Sequence, residues 1–468
     1  MWRGLATLAA ILMLGALAGK VSAQTVGPKD PAEPLGGKPH AKVMARPTGR
    51  IARASVDEKG MRGLIHELVG CGTRLTLGSW GDPKRGPGCA RDHIAARFNE
   101  ISKATGGKLQ VVVDKFEMTA ERTGGKPAPL ENVYAILPGT PTTDEKLAKT
   151  VFLVSGHFDS MPSFKDIMDP TRDAPGADDD ASGVAVSVEC ARLLSKVAQA
   201  HGGFRSTLIF ATVSGEEQGL LGSSHMVEWI KQQGYTVGGM LDDDIVGADL
   251  APGGPHRVRL FSGNGDIDDA DSPARELARA VEEIDGRAAV RMIFRQDRYG
   301  RGGDHYPFYK EGLPAVRFTE PLENYDHEHQ TPRTENGVEY GDYEKYLNFT
   351  FLGNVALDNA EALRELAMSP APPEKARLTG AVTPDAKVSW EASDDAERAG
   401  FEILWRETTE ERWQVHEFVE QAGETVLKSV STDNHFFAVR AVGKNGARSI
   451  AVPTEMERRG SPLPTNAK

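Results

Sequence analysis

Apolar and polar positions alternate in two different ways along the first three quarters of the chain. Short Val-rich runs that end at polar or Pro-Gly clusters predict strands at residues 108–118, 132–137, 150–154, 207–213, 240–241 and 315–318. Longer stretches with one apolar stripe predict helices at residues 61–69, 181–196, 219–232, 273–284 and 343–366. Strands that alternate with helices are typical of an α/β fold, here a mixed, mainly parallel sheet sandwiched by helices.

The pattern changes after a Pro-rich break at residues 368–374, which predicts an interdomain linker. Beyond it, Val388 and Trp390 alternate with polar residues, and so do Phe401, Ile403 and Trp405. This two-residue period is that of half-buried strands. We therefore predict a large domain at residues 56–367, a small all-β sandwich at residues 375–455 and a tail at residues 456–468.

The first residues have the pattern of an export signal. Arg3 supplies a positive charge, residues 5–17 are apolar, and Val21-Ser22-Ala23 offers a cleavage site for small residues. The apolar run is shorter than the roughly 20 residues that span a bilayer, so no membrane span is expected after cleavage. We expect residues 1–23 to be a signal peptide, residues 24–55 a flexible leader or propeptide, and the protein to be secreted or periplasmic.

Composition and charge exclude some classes of function. The 468 residues carry a formal net charge of -12, which disfavours binding to nucleic acid or to anionic membranes. Cys71 and Cys89 are close enough in sequence to form a disulfide in an exported protein, whereas Cys190 lies in an apolar helical stretch and is expected to be a buried thiol.

Polar clusters that suit a metal ion follow four of the predicted strands or begin the next helix. They are His157 with Asp159, the run Asp178-Asp179-Asp180, the pair Glu216-Glu217, Asp244, and His327 with His329. Taken singly, each has an ordinary explanation: aspartates cap helices, and loop glutamates and histidines are usually solvated. Their succession at strand ends predicts a zinc site, in which Asp159 would accept the other imidazole N–H of His157.

The motifs ENVYAILPG, GHFDS, PGADDDASG, GEEQGLLGS, DIVG and GGDHYPF occur in this order from residue 131 onwards. In these motifs the chain resembles the M28 family of co-catalytic zinc aminopeptidases. The resemblance implies two zinc ions, one held by His157, Asp179 and Asp244 and the other by Asp179, Glu217 and His329. It also implies that Glu216 is the general base and that the Asp179-Asp180 peptide is cis.

The chain departs from the family pattern around the later ligands. Glu328 stands where the family commonly has a tyrosine before the last ligand, and His327 is an alternative to His329. Asp242 and Asp243 are alternatives to Asp244. Further candidates for support or substrate binding are Asp304 and His305, the arginines Arg298 and Arg301, and a rim or lid at residues 160–174.

The C-terminal stretch resembles a fibronectin type III domain. Trp390 occupies the position of its early-strand tryptophan, and FFAVRAVGKNGARS resembles its late strand and turn. His435 stands where that family usually has a tyrosine. This region could contact the substrate, the cell wall or a polysaccharide, or it could act as a simple spacer.

Three classes of function fit these features. The first is an exopeptidase that removes N-terminal residues from peptides. The second is a different enzyme on the same scaffold: a carboxypeptidase, a dipeptidase or a single-zinc glutaminyl cyclase. The third is a non-catalytic extracellular binding protein. The two ligand sets and Glu216 favour the first class, with peptides as substrates.

Overall fold

The computed structural model describes residues 45–47, 49–263, 271–285, 289–296, 302–380 and 383–456. The predicted signal peptide, most of the predicted leader, Arg298, Arg301 and nearly all of the predicted tail lie outside these ranges. Within them, no helix has the length and apolar character needed to cross a membrane.

The large domain is built on an eight-stranded sheet, counted over the described residues. Its strands are β1 (Gln110–Thr119), β2 (Pro127–Leu137), β3 (Thr150–His157), β4 (Thr207–Val213), β5 (Thr236–Asp243), β6 (Val258–Gly263), β7 (Val290–Gln296) and β8 (Ala315–Thr319). They lie in the order β1-β2-β4-β3-β5-β8-β6-β7. Strands β4, β3, β5 and β8 are parallel, so their carboxyl ends meet at one edge, while β1 and β2 are antiparallel additions.

Helices cover both faces of the sheet. They are α1 (Glu58–Gly70), α2 (Pro87–Ala104), α3 (Glu145–Lys149), α4 (Ala181–His201), α5 (Leu221–Gln232), α6 (Pro273–Asp285), α7 (His305–Lys310) and α8 (Phe349–Met368). The central strands are apolar throughout because alternate residues enter different cores. Phe152 and Val154 pack in the core with α1, α2, α4, α6 and α8, whereas Val151 and Leu153 pack with α5 and α7. The predicted α/β sandwich is confirmed.

Several helices and strands differ from their predictions. Helix α8 begins at Phe349 and not at residue 343, because the side chain of Asn348 caps it by accepting hydrogen bonds from the amides of Thr350 and Phe351. Helix α2, the short helices α3 and α7 and the strands β6 and β7 were not predicted. Helix α2 begins at Pro87, and its buried residues Ile94, Phe98 and Ile101 do recur at helical spacing, so its signal was present in the sequence and was missed.

Cys89 of α2 forms the predicted disulfide with Cys71, and Cys190 is buried and unpaired, also as predicted. The end of the predicted leader is ordered against the large domain. Ile51 packs on the main core and its amide donates to the carboxylate of Glu361. This segment therefore contributes to packing, which the sequence did not indicate.

The C-terminal region forms two four-stranded sheets in the described residues. Its strands are β11 (Glu374–Thr379), β12 (Ala386–Glu391), β13 (Arg398–Glu407), β14 (Gln414–Val419), β15 (Gly423–Leu427), β16 (His435–Gly443), β17 (Val452–Pro453) and β18 (Glu455–Met456), after the short hairpin β9 (Arg333–Glu335) and β10 (Val338–Tyr340). The orders are β15-β12-β11-β18 and β14-β13-β16-β17. The region is docked on α6: Trp413 donates to Glu276, and Arg440 pairs with Glu283.

Candidate metal centre

The carboxyl edge of the parallel strands carries the predicted metal ligands. His157 is the last residue of β3, Glu217 follows β4 after a tight turn, and Asp244 directly follows β5. Asp179 comes from the loop before α4, and His329 from the loop after β8. Because all these segments end at the same edge, the fold gathers side chains that lie up to 172 residues apart in the sequence.

The five side chains form two groups of three that share one carboxylate. Ligand atoms of His157, Asp179 and Asp244 lie within 4.8 Å of one another, and so do those of Asp179, Glu217 and His329. One oxygen of Asp179 lies 3.1 Å from His157 Nε2, and its other oxygen lies 2.8 Å from His329 Nε2. Asp179 is therefore placed to bridge two cations, as the sequence resemblance implies.

The donor set suits zinc. Each group offers one imidazole nitrogen and carboxylate oxygens, which are ligands that zinc takes in catalytic sites. Burial alone would lower the pKa of His157, but the nearby carboxylates of Asp159, Asp179 and Asp244 raise it well above its usual value. Burial alone would also lower the pKa of His329, but the carboxylates of Glu217 and Asp179 raise it well above its usual value. An environment that attracts a proton so strongly also attracts a metal cation in its place.

The three consecutive aspartates have separate tasks. Asp179 lies in the metal centre, while Asp180 caps α4 by accepting from the Gly183 amide at 2.8 Å and also accepts from the His157 amide at 2.9 Å. The carboxylate of Asp178 accepts from the Gly247 amide at 2.7 Å. The acidic run therefore contains a helix cap, Asp180, and a member of the candidate metal centre, Asp179. The Asp179-Asp180 peptide is cis, as predicted.

Close approach of β3 and α4 needs two glycines. A Cβ atom at Gly156 would lie 2.4 Å from the backbone of Gly183, and one at Gly183 would lie 2.0 Å from the carbonyl oxygen of Asp243. Larger residues would push α4 away from the strand ends. The two glycines thus hold Asp179 and Asp180 against His157.

The alternatives left open by the sequence have other contacts. His327 stacks on Tyr346 with ring centroids 3.7 Å apart, so His329 is the histidine of the centre. Asp242 lies 3.2 Å from His305 Nδ1, and Asp243 accepts from Asn359 at 2.9 Å. Of the three aspartates at the end of β5, Asp244 is the one that reaches the centre, and Arg317 lies 2.9 Å from its Oδ2. Together with His157, Arg317 holds the pKa of Asp244 at about 2 although burial would raise it.

Asp159 lies beside His157 but differs in detail from its prediction. His157 Nδ1 is 3.2 Å from the backbone carbonyl oxygen of Asp159 and 3.7 Å from its carboxylate. The carboxylate instead accepts from the amides of Glu216 and Glu217, each at 3.2 Å, and from Thr76 Oγ1 at 3.1 Å. Asp159 therefore positions the Glu216-Glu217 backbone as well as flanking the imidazole.

A cleft of about 920 Å³ opens over the centre. Its walls include Glu216, Tyr306, Tyr325 and Phe164, whose ring meets that of His329 edge-on at 5.7 Å. Phe164 comes from the segment 160–174, so this segment forms part of the rim, as predicted. Glu328, which replaces the usual tyrosine, also lines the cleft and accepts from the Asn324 amide at 3.0 Å.

One supporting residue gave no signal in the sequence. Arg74 is fully buried behind the centre, and its guanidinium donates to the carbonyl oxygens of Phe158, Pro175 and Gly176. Burial lowers its pKa to about 10 against the opposing effect of Asp342 and Asp159, so it remains charged at neutral pH. It therefore fixes the loops on both sides of the metal ligands.

Comparison with known proteins agrees with this geometry. Residues 132–346 match the model of peptidase family M28. A probable zinc metalloprotease of Leptosphaeria maculans is 37% identical over 85% of this chain and 94% of its own length. Another, from Pyrenophora tritici-repentis, is 36% identical over 88% of each chain.

Solved structures share the fold. The LapA aminopeptidase of Legionella pneumophila, at 18% identity, covers 68% of this chain and 73% of its own with a TM-score of 0.50. LapB of the same organism, also at 18% identity, covers 68% and 74% with a TM-score of 0.51. The full-length similarity to curated relatives, together with the motif-bearing segment, shows that the chain belongs to peptidase family M28.

Proposed function

We propose that the protein is a two-zinc aminopeptidase. The observation that carries this proposal is the pair of three-residue groups that share Asp179, since one group alone would serve a single ion. His157, Asp179 and Asp244 would hold one zinc, and Asp179, Glu217 and His329 the other. Family membership and the zinc metalloprotease relatives support the choice of metal. Bound zinc would supply an activated water and polarise the scissile carbonyl.

Glu216 is the proposed general base. It lines the cleft, and its carboxylate lies within 4.8 Å of ligand atoms of His157 and Glu217. Burial, reinforced by Glu217 and Asp244, raises its pKa well above the usual range for a glutamate. A carboxylate of raised basicity can take the proton of the attacking water and pass it to the departing amine.

The terminus that the enzyme attacks is tested by blocking each end of a peptide. An aminopeptidase cleaves a peptide amide at full rate and leaves the N-acetylated peptide intact, whereas a carboxypeptidase shows the reverse. A chelator should abolish activity, and Glu216→Gln should lower kcat by about 10²- to 10⁴-fold. His327→Ala is a matched control because His327 lies outside the centre. Full activity of Glu216→Gln, or of the metal-free protein, would refute the mechanism.

A carboxypeptidase or dipeptidase remains the alternative on this scaffold, and a non-catalytic binding protein is the alternative of another class. Zinc analysis of the purified protein distinguishes the enzyme from the non-catalytic binding protein, since fewer than one tightly bound zinc per chain would favour the binding protein. The predicted export and the Cys71–Cys89 disulfide are consistent with one another, because disulfides persist outside the reducing cytosol. We propose a secreted or periplasmic location on this basis.

We propose that the C-terminal region is a fibronectin type III-like domain. Its two sheets place the first, second, fifth and eighth strands on one side and the third, fourth, sixth and seventh on the other. Buried Trp390 packs against Phe401 between them. His435 Nδ1 lies 3.0 Å from the carbonyl oxygen of Ser431, the kind of backbone contact that a corner tyrosine makes in such domains. Wall or polysaccharide contact by this domain stays a prediction.

A further inference from the structure

The cleft contains a guanidinium that the metal centre does not use. Arg122 lies in the 3-10 turn Glu121–Thr123 between β1 and β2, and its Nη1 donates to the backbone carbonyl oxygen of Glu217 at 2.7 Å. An arginine has five N–H donors, so this contact leaves most of them uncommitted. Across the described part of the chain, no carboxylate lies within ion-pair distance of Arg122.

The surroundings of Arg122 are acidic. Glu121, Glu216 and Glu328 line the same cleft, in addition to the carboxylates of the metal centre. Among the lining residues that the structure describes, Arg122 alone is a lysine or arginine. In a cleft of this charge, an anionic group of a ligand is attracted to the guanidinium of Arg122. Elsewhere in the cleft the carboxylates repel it.

A second polar group of the cleft wall is uncommitted. Gln218, which directly follows Glu217, is 1% exposed, and both terminal atoms of its side chain lack a hydrogen-bond partner among the described residues. A buried amide without partners carries a desolvation penalty that a bound ligand can relieve. Arg122 and Gln218 therefore offer two donors in the lining of the same cleft: one is charged and contacts the backbone of Glu217, and the other is neutral and follows Glu217 in the chain.

We propose that Arg122, with the Gln218 amide, binds a carboxylate of the peptide substrate. The inference rests on the proposed peptidase function and adds a substrate class to it: peptides that carry a carboxylate near the cleaved bond. Arginine pairs with a carboxylate through two parallel N–H donors, which gives both charge and direction to the contact. The carboxylate is either the α-carboxylate of a short peptide or the side chain of an acidic residue.

Binding tests this assignment without requiring cleavage. Isothermal titration calorimetry on the zinc-loaded Glu216→Gln protein compares three peptides: Ala-Leu-Ala, Ala-Leu-Ala amide and Ala-Glu-Ala amide. An α-carboxylate subsite favours the first peptide over the second by roughly 10- to 100-fold, and a side-chain subsite favours the third over the second by a similar factor, the range of one charge-assisted hydrogen bond. Arg122→Leu should abolish the preference, Arg122→Lys should retain part of it, and Gln218→Leu should reduce it.

Arg85→Leu is the matched control, since Arg85 pairs with Asp173 outside the cleft and should keep the preference. Zinc content is measured for every variant, because Arg122 contacts the backbone of Glu217. Equal binding of all three peptides, or a preference that survives Arg122→Leu, would overturn the proposal. Failure of the wild-type protein to cleave any peptide, with the binding preference intact, would instead count against the peptidase function and leave the carboxylate subsite standing.

Discussion

Replacement of Arg74 by methionine should destabilise the protein and weaken its metal centre at once. The side chain is fully buried, and three carbonyl oxygens lie within 2.7 Å of its nitrogens: those of Phe158, Pro175 and Gly176. Methionine fills similar space but donates no hydrogen bond, so these acceptors stay buried and unpaired. Each such acceptor costs about 1–3 kcal/mol, and partial relaxation limits the expected total to about 3–5 kcal/mol of unfolding free energy.

The effect on the metal centre follows from charge as well as from position. Arg74 is a buried cation near Asp159, Asp179 and Asp180, and its loss leaves their negative charge less balanced. The loops at residues 158–160 and 175–176 would also lose their common anchor. Zinc would therefore be bound by a centre of poorer geometry, so both affinity for zinc and kcat should fall.

Urea unfolding followed by tryptophan fluorescence measures the stability change, and titration with a chelator measures the affinity for zinc. Unfolding is measured on zinc-loaded and on metal-free protein, so that lost metal stabilisation is not counted as lost packing. Arg85→Met is the control, because Arg85 is partly exposed on the same disulfide loop and should change stability by less than about 1 kcal/mol. An Arg74→Met protein within about 1 kcal/mol of wild type, with unchanged zinc affinity, would refute this reasoning.

Three further predictions test the support of the site and the docking of the C-terminal domain. Thr76→Val removes one hydrogen bond to Asp159, worth about 1 kcal/mol, so kcat should fall roughly fivefold while Thr73→Val, which keeps that bond, changes little. Atomic absorption should show that His329→Ala loses zinc and that His327→Ala retains it. Equal loss in both variants would contradict the assignment of His329 to the candidate metal centre. Burial raises the pKa of Glu276 to about 7 from 4.5, against the opposing effect of Arg279 and Trp413. Glu276 thus binds a proton more tightly in the folded protein than in the unfolded chain. Its contribution to the free energy of unfolding, on the order of 1–3 kcal/mol, is therefore present below pH 4.5 and is lost as the pH rises through 7. Unfolding from pH 4 to 8 should show this slope in wild type and in the Glu282→Gln control but not in Glu276→Gln.

Six strands of the sheet and five of its helices could be predicted because their signals are local. A buried parallel strand such as Thr207–Val213 is a continuous apolar run, and an amphipathic helix such as α6 repeats its apolar residues every three or four positions. Helix α2 was missed although Ile94, Phe98 and Ile101 recur at helical spacing; only its start, after Gly86 at φ 96°, lacks a local signal. The packing of the end of the leader could not be predicted because it depends on contacts with α8, more than 290 residues away in the sequence.

The residues of the candidate metal centre also fall into those that could be predicted from the sequence and those that could not. The grouping of the candidate ligands could be predicted because each is a metal-binding residue type near the end of a strand or the start of a helix, and the edge of a parallel sheet brings such positions together. Choices between neighbours, such as His329 over His327, needed the path of the loop: His329 is held at φ 51°, a left-handed conformation that no local pattern predicts for histidine.

The residues that support the centre have no type in common. Arg74 donates to carbonyl oxygens, Thr76 and the amides of Glu216 and Glu217 share the carboxylate of Asp159, and Arg317 balances Asp244. What unites them is a distance of a few ångströms from a ligand, which arises from the packing of segments far apart in sequence. Since orientation of the ligands depends on these contacts, substitutions at Arg74 or Arg317 should lower the affinity for zinc by roughly 10- to 100-fold, although neither residue offers an electron pair to zinc.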